Sequence, residues 1–70
     1  MSKYEPLWRY IKENNKIEYK LSYDEIKDIL GFNIDHSFLK YKKELLEYDY
    51  EVSRILLKSK TIFIKKLNKL

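Results

Sequence analysis

Apolar residues recur along this chain with two different spacings, and the switches between them mark out six elements. Leu7 and Ile11 stand four apart, with Arg9, Lys12 and Glu13 interleaved, so a helix is predicted over Glu5 to Glu13. Pro6 suits its first turn, where a missing N–H costs nothing, and Asn14-Asn15 ends it. Trp8 reads as a packing residue of this helix. From Lys16 to Leu21 the period drops to two: Ile17, Tyr19 and Leu21 alternate with Glu18 and Lys20, the pattern of a half-buried strand.

The stretch Ser22 to Gly31 reads as a second helix with both ends marked. Ser22 and Glu25 have the spacing of a capping box. Asp24 and Glu25 sit where the helix dipole favours negative charge. Gly31 stands where a left-handed residue closes a helix. Tyr23, Ile26, Ile29 and Leu30 form the apolar face. Phe32 and Ile34 are expected to turn inward and seal the following turn. Asp35 is a plausible cap for a third helix from His36 to Tyr48. On that helix Phe38, Tyr41, Leu45 and Tyr48 make one stripe, widened by Leu39 and Leu46. His36, Lys40, Lys43, Glu44 and Glu47 fall on the opposite side.

The remainder is rich in β-branched and aromatic residues. Tyr50 to Leu57 is predicted to be a strand, Lys58-Ser59-Lys60 a turn, and Thr61 to Leu67 the returning strand, with Asn68-Lys69-Leu70 as a fraying tail. Tyr50, Val52 and Leu56 alternate with Ile55 and Leu57, and Ile62 and Ile64 alternate with Phe63 and Leu67. Both faces of this hairpin therefore read as apolar. A small sheet needs one face for its core, and the other would be a patch asking for a partner. The partner would be a second copy, docked through the C-terminal hairpin, or another protein.

The order helix, strand, helix, helix, strand, strand predicts a small α+β domain of winged-helix type. A three-stranded antiparallel sheet would cover one end of a three-helix core. Seventy residues make one domain, 1–70, with a thin core. No cysteine is present, so no disulfide or thiolate site supports it, and the lone His36 cannot build a metal site alone. Seven Tyr, three Phe and one Trp supply the packing. Met1-Ser2-Lys3-Tyr4 has no apolar run of secretory type, and no stretch approaches the ~20 apolar residues of a membrane span. A cytoplasmic protein with no membrane association is expected.

Catalysis is not indicated. Gly31 is the only glycine, which rules out a glycine-rich phosphate loop. No cofactor is implied. His36 lies between Asp35 and Ser37, but a triad is assembled in space by a scaffold. The acids of the second helix read as a solvated face.

Fifteen basic and eleven acidic residues leave a net charge of +4. Lys, Ile, Asn and Tyr have AT-rich codons, so the total alone is ambiguous. Its distribution says more. Between Val52 and Leu70 there are six basic residues and no acid: Arg54, Lys58, Lys60, Lys65, Lys66 and Lys69. A helix-turn-helix lays the start of its second helix in the major groove, which here presents His36, Ser37, Lys40 and Lys43. The expected nucleic-acid surface is that helix together with Arg54, Lys58, Lys60, Lys65 and Lys66. Against it, Ser22 to Asp35 carries four acids and one base, in a helix that would cross phosphates.

Two stretches resemble a family of small bacterial proteins of uncharacterised function. They are Tyr4-Glu5-Pro6-Leu7-Trp8-Arg9-Tyr10-Ile11 and Leu21-Ser22-Tyr23-Asp24-Glu25-Ile26-Lys27-Asp28-Ile29-Leu30-Gly31. The family pattern runs Y-x-P-L-x-x-Y-L, then L-[ST]-[FY]-x-E-I-x-x-I-L-G, then a Ser-led basic helix and a final K-x-V-x-F. Ser37, Lys40, Tyr41 and Lys42 match the basic helix, and Lys60, Thr61, Ile62 and Phe63 the last strand. Glu44-Leu45 stand where the family usually has a Trp-Trp pair, and a segment before the hairpin is missing. The resemblance implies the element order and a basic helix, and brings no activity with it.

Overall fold

The computed structural model describes residues 2–67. Helix α1 spans Glu5–Asn14, and Asn15 closes it in the left-handed region at φ 50°, its N–H donating to the Ile11 carbonyl. It buries Leu7, Trp8 and Ile11. Strand β1 (Glu18–Ser22) leads directly into α2 (Tyr23–Leu30). The capping box forms as the spacing predicts: the Glu25 N–H donates to Ser22 Oγ and the Ser22 N–H to Glu25 Oε1, both at 3.1 Å. Gly31 adopts φ 86°, which favours glycine, and its N–H returns to the Lys27 carbonyl at 2.6 Å.

The third helix departs from expectation. Only Ser37–Tyr41 (α3) is α-helical, and Lys42–Tyr48 tightens into a 3-10 helix that ends at Asp49 with φ 68°. Seven residues is long for a 3-10 run. Glu44 is what this segment turns inward. Its carboxylate is held against α1 by the Trp8 indole N–H at 3.0 Å and by the Ser2 hydroxyl. It was expected on the outer polar face. The expected Asp35 cap does not form: α3 begins one residue later than predicted, with His36 at its N-cap position and no side-chain cap bond. Asp35, one residue further out, holds the Ser37 N–H at 2.9 Å and the Ser37 hydroxyl at 2.6 Å through Oδ1.

Strands β2 (Tyr50–Leu56) and β3 (Thr61–Lys66) complete an antiparallel sheet ordered β1-β3-β2. The turn between them is tied to α2 by the Tyr23 N–H, which donates to the Lys60 carbonyl at 2.9 Å. Ile17, predicted to open the first strand on its inner side, lies before it and is 76% exposed. The expected tail at residues 68–70 lies outside the described residues.

The core is one cluster between the helices and a single face of the sheet. It joins Leu7, Trp8 and Ile11 of α1, Ile26, Phe38 and Leu45 with Tyr19, Leu21, Tyr50, Ile62 and Ile64 of the strands. Tyr4, ahead of α1, is fully buried and is ringed by Trp8, Phe32, Phe38 and Tyr41 at centroid distances of 5.5–6.1 Å. Buried tyrosines need a partner for the hydroxyl, and each finds one. Tyr4 Oη is 2.7 Å from Ser37 Oγ, Tyr19 donates to the Ile11 carbonyl at 2.6 Å, and Tyr50 donates to the Lys16 carbonyl at 2.8 Å. Burial, with Tyr19 close by, raises the Tyr50 phenol above its ordinary value.

Candidate nucleic-acid interface

Strand alternation sorts β1 and β3 into two faces. Tyr19 and Leu21 pair with Ile64 and Ile62 on the core side, while Lys20 pairs with Phe63 on the outer side. In β2 a bulge at Ser53 interrupts the alternation. Val52 still faces Ile64, yet the next paired residue is Arg54, opposite Phe63, and Ile55 then pairs with Ile62. The extra residue lets Val52 and Ile55 both join the core side and turns Arg54 outward. The expected second apolar face of the hairpin is therefore not what forms. Its middle row reads Lys20, Phe63, Arg54, running β1, β3, β2.

That row has specific geometry. Phe63 is half-buried on the central strand, and Lys20 Nζ lies 6.0 Å from its ring centroid. Lys20 and Arg54 are exposed and have no hydrogen bond or acidic partner among the described residues. An open groove runs over this face between Lys20, Ser53, Arg54 and Phe63, with Glu18 and Lys65 at its far end. The row further from the hairpin turn is Glu18, Lys65, Glu51, and Lys65 pairs with Glu51 at 3.4 Å. The row nearer the turn is Ser22, Thr61, Leu56, which holds no charge.

The structure divides the predicted site residues into three groups. Ser37 is consumed internally by Asp35 and Tyr4. Lys65 is held by Glu51, and Lys66, on the opposite side of the sheet, donates to Asn15 Oδ1 at 2.6 Å. Lys40 and Lys43 on the third helical segment and Lys58 and Lys60 in the turn are exposed and hold no acid. Lys40 Nζ lies 5.5 Å from the Tyr41 ring. His36 is exposed at the start of α3. Lys69 lies outside the described residues. Lys20 was not foreseen as a site residue, although its alternation with Tyr19 and Leu21 already put it on the outer face. Arg54 was foreseen from its charge, but nothing in the sequence placed it beside Phe63.

A second surface lies between α3 and the hairpin. His36 and Leu39 share a groove with Ile55 and Leu57, lined also by Phe38, Tyr23, Ile34 and the carboxylate-bearing Asp35. Leu39 is 54% exposed and Leu57 77%. The exposed acids Asp24 and Asp28 belong to α2.

Two carboxylates are shifted by local bonds. Ser37 and then Lys3 hold Asp35 well below the ordinary carboxylate range. The Ser2 hydroxyl and then the Trp8 indole lower Glu44. Both bind parts of the fold together rather than presenting a reactive group. Among the described residues no group of three or more His, Cys, Asp or Glu is arranged to hold a metal ion. Nor is any helix among them long and apolar enough to cross a membrane. No protein-family model, curated protein or solved structure matches this chain.

Proposed function

We propose that this chain is a cytoplasmic, non-enzymatic nucleic-acid-binding protein with a winged-helix-like domain. Its contacts come from the third helical segment and the basic hairpin turn. One observation supports the reading: the start of α3 and the hairpin share a groove, and lysines that follow its lining residues in the chain hold no acid. His36 and Leu39 meet Ile55 and Leu57 there, and Lys58 follows Leu57 directly. Lys40, Lys43, Lys58 and Lys60 are exposed without an acid to neutralise them. A helix beside a basic loop suits a duplex, with the helix at base edges and the loop on phosphates. The element order and the sheet order β1-β3-β2 agree with this architecture. The acidic side of α2 is accommodated if the duplex meets α3 and the turn alone.

The test is fluorescence anisotropy with labelled duplex DNA across a salt series. Affinity should fall steeply with salt as counterions are released. The double variant K40A/K43A and the double variant K58A/K60A should each weaken binding and flatten the salt slope by roughly two phosphate contacts. Absence of binding to duplex and single-stranded nucleic acid at low salt refutes the proposal.

A second reading has its own observation. Leu39 and Leu57 expose large apolar area on either side of the same groove. Self-association through the hairpin, or docking of another protein, would cover it. Light scattering decides between one and two copies, and Leu57→Asp should dissociate a dimer. A monomer that captures no protein partner rejects this reading.

A further inference from the structure

Resting on the nucleic-acid reading above, we infer that the outer face of the sheet is a platform for single-stranded nucleic acid. One base stacks on Phe63, and the adjoining phosphates lie on Lys20 and Arg54.

Three independent features of this face converge on that ligand. The first is the position of the aromatic. Phe63 lies on the central strand, half-buried, with its ring on the side that the core does not use. A π-face held rigidly on a sheet stacks any base, whatever the sequence, which is how proteins grip unpaired strands. A duplex keeps its bases stacked on one another and cannot offer one to this ring.

The second is the charge on either side. Neighbouring strands lie about 4.8 Å apart, so Lys20 and Arg54 flank the ring at one strand spacing each. Neither holds a carboxylate. Lys20 rests over the Phe63 ring in the free protein, and its long flexible stem lets it swing aside to a phosphate as a base arrives.

The third is direction. Glu18 and Glu51 close the platform at the end away from the hairpin turn. Towards the turn there is no acid, and Lys60 stands in the turn itself, immediately before β3. A strand anchored at Phe63 is thus led towards Lys58 and Lys60, while the other end offers no free cation, since Lys65 there is held by Glu51.

The Ser53 bulge ties these features together. Bulges often re-aim a side chain next to a working surface. In an unbroken ladder Arg54 would share the side of Val52. The bulge sets it beside the aromatic ring instead.

Anisotropy with labelled oligothymidylate and oligouridylate, and with the same oligomer annealed as a duplex, tests this on the full chain. Phe63→Leu keeps an apolar side chain and removes the π-face. It should weaken single-strand binding by between about five- and one-hundred-fold and leave duplex binding unchanged. Arg54→Ala and Lys20→Ala should each lower the slope of log affinity against log salt by roughly 0.7. Arg54→Glu, at an exposed position that folding does not depend on, should abolish single-strand binding at moderate salt. Unchanged single-strand binding in folded Phe63→Leu and Arg54→Glu overturns the platform. If duplex binding still falls in K40A/K43A, the nucleic-acid reading survives that result. Displacement of the oligomer by poly-glutamate of equal charge also overturns the platform, because it shows a surface that senses charge alone. No binding of either form at low salt overturns both.

Discussion

Ile62 and Phe63 are neighbours in the chain and belong to opposite sides of one three-stranded sheet. Ile62 is fully buried between Leu21 and Ile55, against the helices. Phe63 stands between Lys20 and Arg54, half-covered, facing away from them. The inner face is apolar in all three strands and leaves no buried polar side chain unsatisfied among the described residues. The outer face carries one aromatic between two cations, with a mixed-charge row on one side of it and an uncharged row on the other. Both faces arise from the same three strands, so the difference comes from register. On β1 and β3 simple alternation assigns the sides. On β2 one extra residue reassigns them, keeping Ile55 in the core and freeing Arg54. A single backbone irregularity thus serves packing on one side and charge placement on the other.

The comparison is most easily broken from the inside. Ile62→Ala leaves a cavity in a fully packed site and should destabilise the domain by about 2–5 kcal/mol. In a chain this small that is a large part of the total stability. Phe63→Leu, one position on, should cost less than about 1.5 kcal/mol, because the removed atoms face solvent in part. Urea melts of the two variants measure the asymmetry, and equal losses would mean that both faces are core.

Acid should act on the helix side of the sheet. Glu44 is lowered in the folded protein from its ordinary 4.5 by Ser2 and Trp8. Its contribution is therefore complete above about pH 4.5 and disappears as the pH falls through the lowered value. Asp35, lowered mainly by Ser37, loses its contribution in the same sense on acidification. Glu44→Gln should cost about 1 kcal/mol at neutral pH and show a shallower decline on acidification. Melting temperature against pH for both proteins checks the sign.

The smallest effect should come from deleting Ser53. Val52 would then be followed by Arg54 in an unbroken ladder, with both side chains keeping their present sides. The loss is one hydrogen bond, from Ser53 Oγ to the Phe63 carbonyl at 3.2 Å, so stability should change by about 1 kcal/mol or less. A deletion that unfolds the protein would mean that the local twist at the bulge is itself required by the core.

Much of this architecture was legible in the residues. Ser22, Glu25 and Gly31 announced the two ends of α2, because caps are local hydrogen-bond chemistry and depend on a few adjacent residues. The order of elements followed from hydrophobic period for the same reason, and the Lys58-Ser59-Lys60 turn from the polar break between two apolar runs. The third helix was the weakest point. Its apolar stripe is compatible with either helical pitch, and the tightening beyond Tyr41 accompanies bonds from Ser2 and Trp8 to Glu44, over 30 residues away in the chain. Tyr4 was invisible as a core residue, since nothing in its neighbours announces the aromatic ring that surrounds it.

By itself, then, the chain determined its first two helices, the order of its strands and the basic character of its C-terminal third. Those depend on period, caps and composition, all of which act over a few residues. Only the tertiary structure decided which cations stay free and which side of the sheet they share. Lys65 and Lys66 read alike as basic residues, yet one meets Glu51 and the other Asn15, on opposite faces. Arg54 reads as inward by simple alternation, yet it stands beside Phe63 because pairing against β3 accommodates one residue too many. Register between strands is a long-range choice, made by the packing of the side chains it buries, and that choice sets Lys20, Phe63 and Arg54 in one row.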